Sequence, residues 1–269
     1  MQMTIVIVVF VLPAVYWSLR SDGKKAIAFG FNKPIEARPG EFPYQAALLA
    51  QVNGTLLIFC GGSLIHPRWI LTAAHCLEQH GKQFPSEFIK VSLGNIYYNL
   101  TKSPSLSVEE VKMHENYYNS DGIHDIGLLK LEKNTKMSKF VNIIPMYHNN
   151  LIRQDNLYLT GFGVTNDFSR KPLRLRKATL HISAPEKCHL SPMESKYQIC
   201  GTSTMVEGKA CKGDSGSPLV IIKDGKATQV GITSHMSLLS LCKISFNYSV
   251  YIKVSAYIQW ISVNTGSPV

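Results

Sequence analysis

An all-β fold of two β units followed by one C-terminal helix is what this 269-residue sequence predicts. Between Phe42 and Tyr251, short apolar or alternating runs recur, punctuated by Gly, Pro and Asn, and long helical periodicity is missing. Residues 134–142 are polar and poor in strand formers, so they read as a crossover between the two units.

The strand-like runs are 44–50, 64–71, 88–93, 126–131, 157–162, 219–222, 230–233 and 250–254. At the end of the chain Val254, Tyr257, Ile258 and Ile261 recur at three- and four-residue steps, with Ser255 near the start, as in an amphipathic helix. At the other end, the apolar run 5–12 is too short to cross a hydrocarbon core of ~30 Å as a helix. Residues 1–18 therefore read as a secretory signal peptide, the alternative being a buried first strand.

Apolar residues make up 45% and charged residues 17% of the chain, which is globular rather than disordered composition. The net charge of +10 raises nucleic acid as a partner, but no zinc-finger or RNA-binding signature is present and the basic residues are mostly scattered. Attraction to acidic glycans fits better than nucleic acid. Arg170, Lys171, Arg174, Arg176 and Lys177 are the densest basic group, and Arg174 and Arg176 alternate at the strand period. That group is either a solvated face or an exosite.

Cys60, Cys76, Cys188, Cys200, Cys211 and Cys242 are an even set without CxxC spacing, which favours disulfides over zinc and leaves their pairing open. Sequons begin at Asn53, Asn99 and Asn247. Both features agree with export.

A serine hydroxyl is a weak nucleophile, so it needs a base within hydrogen-bond reach, a third group to orient that base, and donors aimed at the developing oxyanion. The stretch 212–218, Lys-Gly-Asp-Ser-Gly-Ser-Pro, allows a tight turn in which the N–H groups of Gly213 and Ser215 can point at one spot. His75 directly precedes Cys76, and Asp125 heads a strongly apolar run. Singly, these stretches read as a hairpin turn, a satisfied histidine and a turn-forming aspartate.

Together the three stretches resemble the S1 family of chymotrypsin-like serine peptidases, whose strings TAAHC, DIxLL and GDSGxP stand here at 72–76, 125–129 and 213–218. The order His, Asp, Ser separates that clan from subtilisins and α/β-hydrolases. The resemblance extends from about Glu36 to Trp260. It implies two antiparallel six-stranded β-barrels, about 31–140 and 141–253, with the active site in the cleft between them and a terminal helix at 254–263. It implies a short propeptide at 19–30 and a peptidase domain at 31–269. It pairs Cys60 with Cys76, Cys188 with Cys200, and Cys211 with Cys242. His75, Asp125 and Ser215 become a catalytic triad, Gly213 and Ser215 the oxyanion hole, and Ser234 a support for the buried aspartate. The stretch Ser234-His235-Met236 would pair with substrate backbone.

The sequence departs from the family at two places. Lys209, six residues before Ser215, stands at the base of the specificity pocket, where trypsin-like members carry Asp. It favours either an acidic side chain at P1 or an internal pair with Glu207. Met236 and Ser249 take pocket-wall positions that are commonly glycine. The second departure is the activated start, whose amino group would pair with Asp214. Alignment places Phe31-Asn32-Lys33-Pro34 there, whereas cutting after Lys24-Lys25 would release Ala26.

The loop after Gly94 lacks the acids of a calcium site, and the chemistry needs no cofactor or metal. The expected protein is a secreted, monomeric serine endopeptidase acting on polypeptides. Protein inhibitors and acidic glycans are candidate partners; nucleic acid and a stable membrane anchor are not. The rival is a homologue without turnover that binds or regulates.

Overall fold

Runs rich in Leu, Ile, Val and Ala become strands when their apolar faces can be hidden, and here they are hidden inside two barrels. The computed structural model describes residues 35–52, 55–98, 104–118, 122–149, 151, 156–163, 173–202, 210–236 and 248–268, all within the unit Lys33–Val269. The strands are β1 (Ile35–Glu36), β2 (Gln45–Val52), β3 (Thr55–His66), β4 (Trp69–Thr72), β5 (Glu78–Gln79), β6 (Lys82–Gln83), β7 (Ile89–Leu93), β8 (Tyr97–Tyr98) and β9 (Leu106–Met113). They continue as β10 (Gly127–Leu131), β11 (Asn156–Gly161), β12 (Leu173–Arg174), β13 (Arg176–Ile182), β14 (Gln198–Thr202), β15 (Pro218–Lys223), β16 (Lys226–Met236) and β17 (Tyr248–Lys253). Helix α1 (Ile258–Thr265) follows.

In the first barrel β10, β4, β3, β2, β7 and β9 pair in that order and close. In the second, β13, β11, β15, β16, β17 and β14 pair in order, and β14 returns to β13 through His181↔Thr202 and Ile182↔Gly201. All these pairings are antiparallel, so the fold is the pair of six-stranded barrels with a C-terminal helix that the sequence implies. Leu48, Leu64, Ile70, Leu128 and Leu129 fill the first barrel, and Leu157, Leu180, Leu219, Val230 and Tyr251 the second.

The apolar run 64–71 is not one strand. Pro67 lacks the N–H a ladder requires, and the chain reverses between His66 and Trp69 to form the β3–β4 hairpin. β9 and β13 are absent from the apolar runs because only one face of each is buried. In β9 that face carries Val108 and Val111, while Glu109 and Glu110 face outward or toward the rim.

The start of the described chain belongs to the second barrel, where Ile35 pairs with Lys177 and Glu36 with Arg176. Between the barrels, Asn142 and Ile144 donate to Pro43 and Leu64 in the first, while Tyr147 donates to Gln229 in the second. The mid-chain crossover thus staples one barrel to the other.

Two disulfides reinforce this frame. Cys60–Cys76 ties a single 3₁₀ turn, Ala74–Leu77, to β3, and Cys188–Cys200 ties the turn Pro185–Cys188 to β14. Cys211 is disulfide-bonded as well. Its expected partner Cys242 lies outside the described residues, as do the signal and propeptide segments, Lys209 and the sequons at Asn53, Asn99 and Asn247. No helix among the described residues is long and apolar enough to cross a membrane.

Replacing Cys60 and Cys76 together by alanine should cost about 3 kcal/mol, since the bond closes a loop of 16 residues. Guanidinium denaturation of the oxidised protein and the variant measures this, and equal midpoints would contradict it.

Candidate active site

Strand register brings His75 and Asp125 together. Gly127 at the start of β10 pairs with Thr72 at the end of β4, so the residues just beyond each strand meet at the barrel mouth. His75 lies in the 3₁₀ turn that follows β4, and Asp125 lies in the tight turn that leads into β10. That turn is set by His124 in the left-handed region at φ 60° and by a 2.7 Å bond from the Ile126 N–H to the His124 carbonyl. The Asp125 carboxylate then accepts from the His75 backbone N–H at 2.8 Å and from the ring Nδ1 at 2.8 Å. The second barrel adds a third donor, the Ser234 hydroxyl on β16, at 2.6 Å.

Asp125 is only 3% exposed. Burial pushes its carboxyl upward, but the His75 charge and the bonds from His75 and Ser234 more than offset this and hold it below the ordinary carboxylate value. For His75, burial pushes the imidazole down, while the Asp125 charge and hydrogen bond, with a smaller pull from Glu78, raise it above its ordinary value. An ionised carboxylate fixing a neutral imidazole through Nδ1–H leaves Nε2 as the acceptor, which is the state a general base requires.

The turn 211–217 presents Ser215. Asp214 N–H donates to Cys211, Ser217 N–H to Asp214 and Gly216 N–H to Thr233, whereas the N–H groups of Gly213 and Ser215 have no acceptor among the described residues. Two neighbouring donors of this turn are thus left open among the described residues. The turn is pressed against the His75 segment, because the Ser215 carbonyl accepts from Gly61 at 2.7 Å and Thr72 Oγ1 bonds the Gly61 carbonyl at 2.8 Å. Ser215 is half-buried and its hydroxyl makes no hydrogen bond among the described residues.

Asp214 is buried beneath the same turn, accepting from Gly163 N–H at 2.8 Å and Cys211 N–H at 2.9 Å. It lies so close to the Gly161-Phe162-Gly163 stretch that a Cβ on Gly161 would come within 2.0 Å of its Oδ1. Burial raises its pKa to about 6, against the opposing pull of those two amides and of Arg176. Ser249 lies on β17 opposite Gly201 and Met236 and is fully buried. Met236 ends β16 on the adjoining strand. The one three-group set of metal-ligand type among the described residues, Cys60, His75 and Cys76, offers no thiolate, because its cysteines are bonded to each other. Gln45, which no sequence motif singles out, uses its buried amide to link Thr160 on β11 to Ser217 beside the Ser215 turn.

Gly216 has φ +77°, and a Cβ there would lie 2.2 Å from Thr72 Oγ1 and 2.5 Å from the Gly61 carbonyl. Gly216→Ala should therefore destabilise the protein by roughly 2–4 kcal/mol and push Ser215 away from His75. Denaturation and fluorophosphonate labelling read the two effects, and a fully labelled, equally stable variant would contradict the packing described.

The model of the family described as Trypsin matches residues 33–261. Chymotrypsin-like elastase family member 1 of Canis lupus familiaris is 30% identical over 238 residues, covering 84% of this chain and 89% of the relative. Urokinase-type plasminogen activator of Gallus gallus is 30% identical over 238 residues, and vitamin K-dependent protein C of Rattus norvegicus 31% over 247. Those alignments cover 82% and 83% of this chain but 54% and 49% of the relatives. By family match, relatives and fold alike, the chain belongs to the trypsin family and is a chymotrypsin-like serine endopeptidase.

Proposed function

We propose that this chain is a secreted endopeptidase that cleaves polypeptides through Ser215, His75 and Asp125 by way of an acyl-enzyme. The observation that carries this reading is the Asp125 carboxylate, held by His75 from one barrel and Ser234 from the other, beside a turn with two open N–H donors. His75 Nε2 takes the Ser215 proton as Oγ attacks the peptide carbonyl, and Asp125 stabilises the imidazolium that forms. The N–H groups of Gly213 and Ser215 receive the oxyanion. The imidazolium then protonates the leaving amine, and the same cycle with water releases the acid.

Export rests on the apolar run 5–12, the cysteine set and the sequons at Asn53, Asn99 and Asn247. Removal of residues 1–18 and of a propeptide near 19–30 would leave the peptidase domain, whose new amino group would neutralise the buried Asp214. Lys209 supports an acidic P1 residue, and Met236 would narrow the pocket. Of the basic group, Arg170 and Lys171 lie outside the described residues, and two of the other three cations are paired. Arg174 pairs with Glu36 at 2.6 Å and stacks on Tyr97, and Lys177 pairs with Glu41 beside Phe42.

The processed protein should react with a fluorophosphonate and Ser215→Ala should not. Absence of labelling after processing would favour a binding or regulatory homologue. Peptide-library profiling should show cleavage after Asp or Glu, and strong turnover after Arg would sink that preference.

The acid limb of kcat/KM follows His75, which must be neutral to accept a proton. Because its pKa is raised above 6.5, half the activity should already be lost at a pH above 6.5, as acidification protonates the ring. A midpoint well below that value would count against His75 as the base.

A further inference from the structure

We propose that His235 is a positioning residue for Asp125, the outer end of a hydrogen-bonded chain running His235, Ser234, Asp125, His75. This rests on the triad reading above and adds a second histidine to it.

The direction of each bond follows from the available hydrogens. An ionised carboxylate only accepts, so the single Ser234 hydroxyl hydrogen goes to Asp125 Oδ2 at 2.6 Å. The Ser234 oxygen is then the acceptor in its 3.3 Å contact with His235 Nδ1, and His235 must carry its hydrogen on Nδ1. Asp125 thereby lies between two imidazoles, His75 bonded to it directly and His235 through one hydroxyl.

The ring is seated rather than loose. Gly122, at φ +63°, approaches so closely that a Cβ there would lie 3.1 Å from His235 Cε1, and its carbonyl accepts from Gln198 Nε2 at 2.9 Å. Gln198 is buried on β14, so a strand of the second barrel holds the shelf on which the imidazole rests. The residue remains exposed on its other side, so it does not serve to fill a core.

Among the described residues, the charged groups acting on His235 are Asp125, His75 and Glu194. Burial holds its pKa below the ordinary imidazole value; Asp125 and Glu194 pull upward and His75 downward. As pH falls, His75 takes its proton first and His235 takes one later. Neutral His235 donates to Ser234 and so polarises the bond Ser234 makes to the carboxylate. Protonated His235 keeps that bond and adds a positive charge facing Asp125 and His75.

The test uses the full processed protein. In the Ser215→Ala background, NMR titration of the His75 ring should show two inflections, the second at the lower pH, and both His235→Phe and His235→Asn should leave only the first. Asn keeps an N–H donor near the Nδ1 position but does not titrate. In the active protein, kcat/KM on the alkaline plateau should fall about threefold in His235→Phe, the scale of one weak hydrogen bond, and recover in His235→Asn.

A single His75 inflection in the parent protein, or equal rates for the Phe and Asn variants, overturns the proposal. Fluorophosphonate labelling separates the two readings. Labelled protein with one-step titration defeats only the role of His235, whereas unlabelled protein defeats the triad itself.

Discussion

The rest of the site depends on one buried negative charge, the carboxylate of Asp125. A charge at 3% exposure is costly unless donors surround it. Here the donors come from both barrels: the His75 backbone and ring from the first, the Ser234 hydroxyl from the second. Their convergence makes the relative placement of β4, β10 and β16 a condition of stability as well as of chemistry. If the barrels separate, Asp125 loses the hydroxyl that the second barrel contributes. The same contacts keep the carboxyl ionised and raise the imidazole, so the packing constraint and the proton affinity of His75 have a common origin.

Asp214 is a second buried carboxylate with the opposite character. Its two donors are backbone amides, and no cation is hydrogen-bonded to it among the described residues. Burial therefore dominates and its pKa rises to about 6. It also braces the turn that leaves the Gly213 and Ser215 amides open, through close packing on Gly161 and Gly163. A site that would use one carboxylate as a permanent anion and hold another near its titration point separates orientation of the base from assembly of the nucleophile turn.

The chemistry-bearing residues were legible locally because each needs a local backbone. The glycines around Ser215 mark a turn, Cys76 marks the anchoring of His75, and an apolar run marks the strand that Asp125 heads. His235 was not legible in this way. Its interest arises only because Ser234 turns its hydroxyl toward Asp125 and Gly122 seats the ring, and neither relation has a signature in residue spacing. β9 and β13 escaped for a related reason, since a strand with one solvated face carries charges that dilute its apolar signal.

The β-rich class, the crossover, the cysteine set and the three motifs follow from residue order alone, since short-range patterning and backbone-specific residues encode all of these. Long-range packing, by contrast, places the β1 strand in the second barrel, turns the apolar run at Pro67 into a hairpin, pairs Arg174 and Lys177, and brings His235 to Asp125 through Ser234. Each of these depends on which distant segments meet. Register and closure of the two barrels set those meetings, and no stretch of chain holds that information alone.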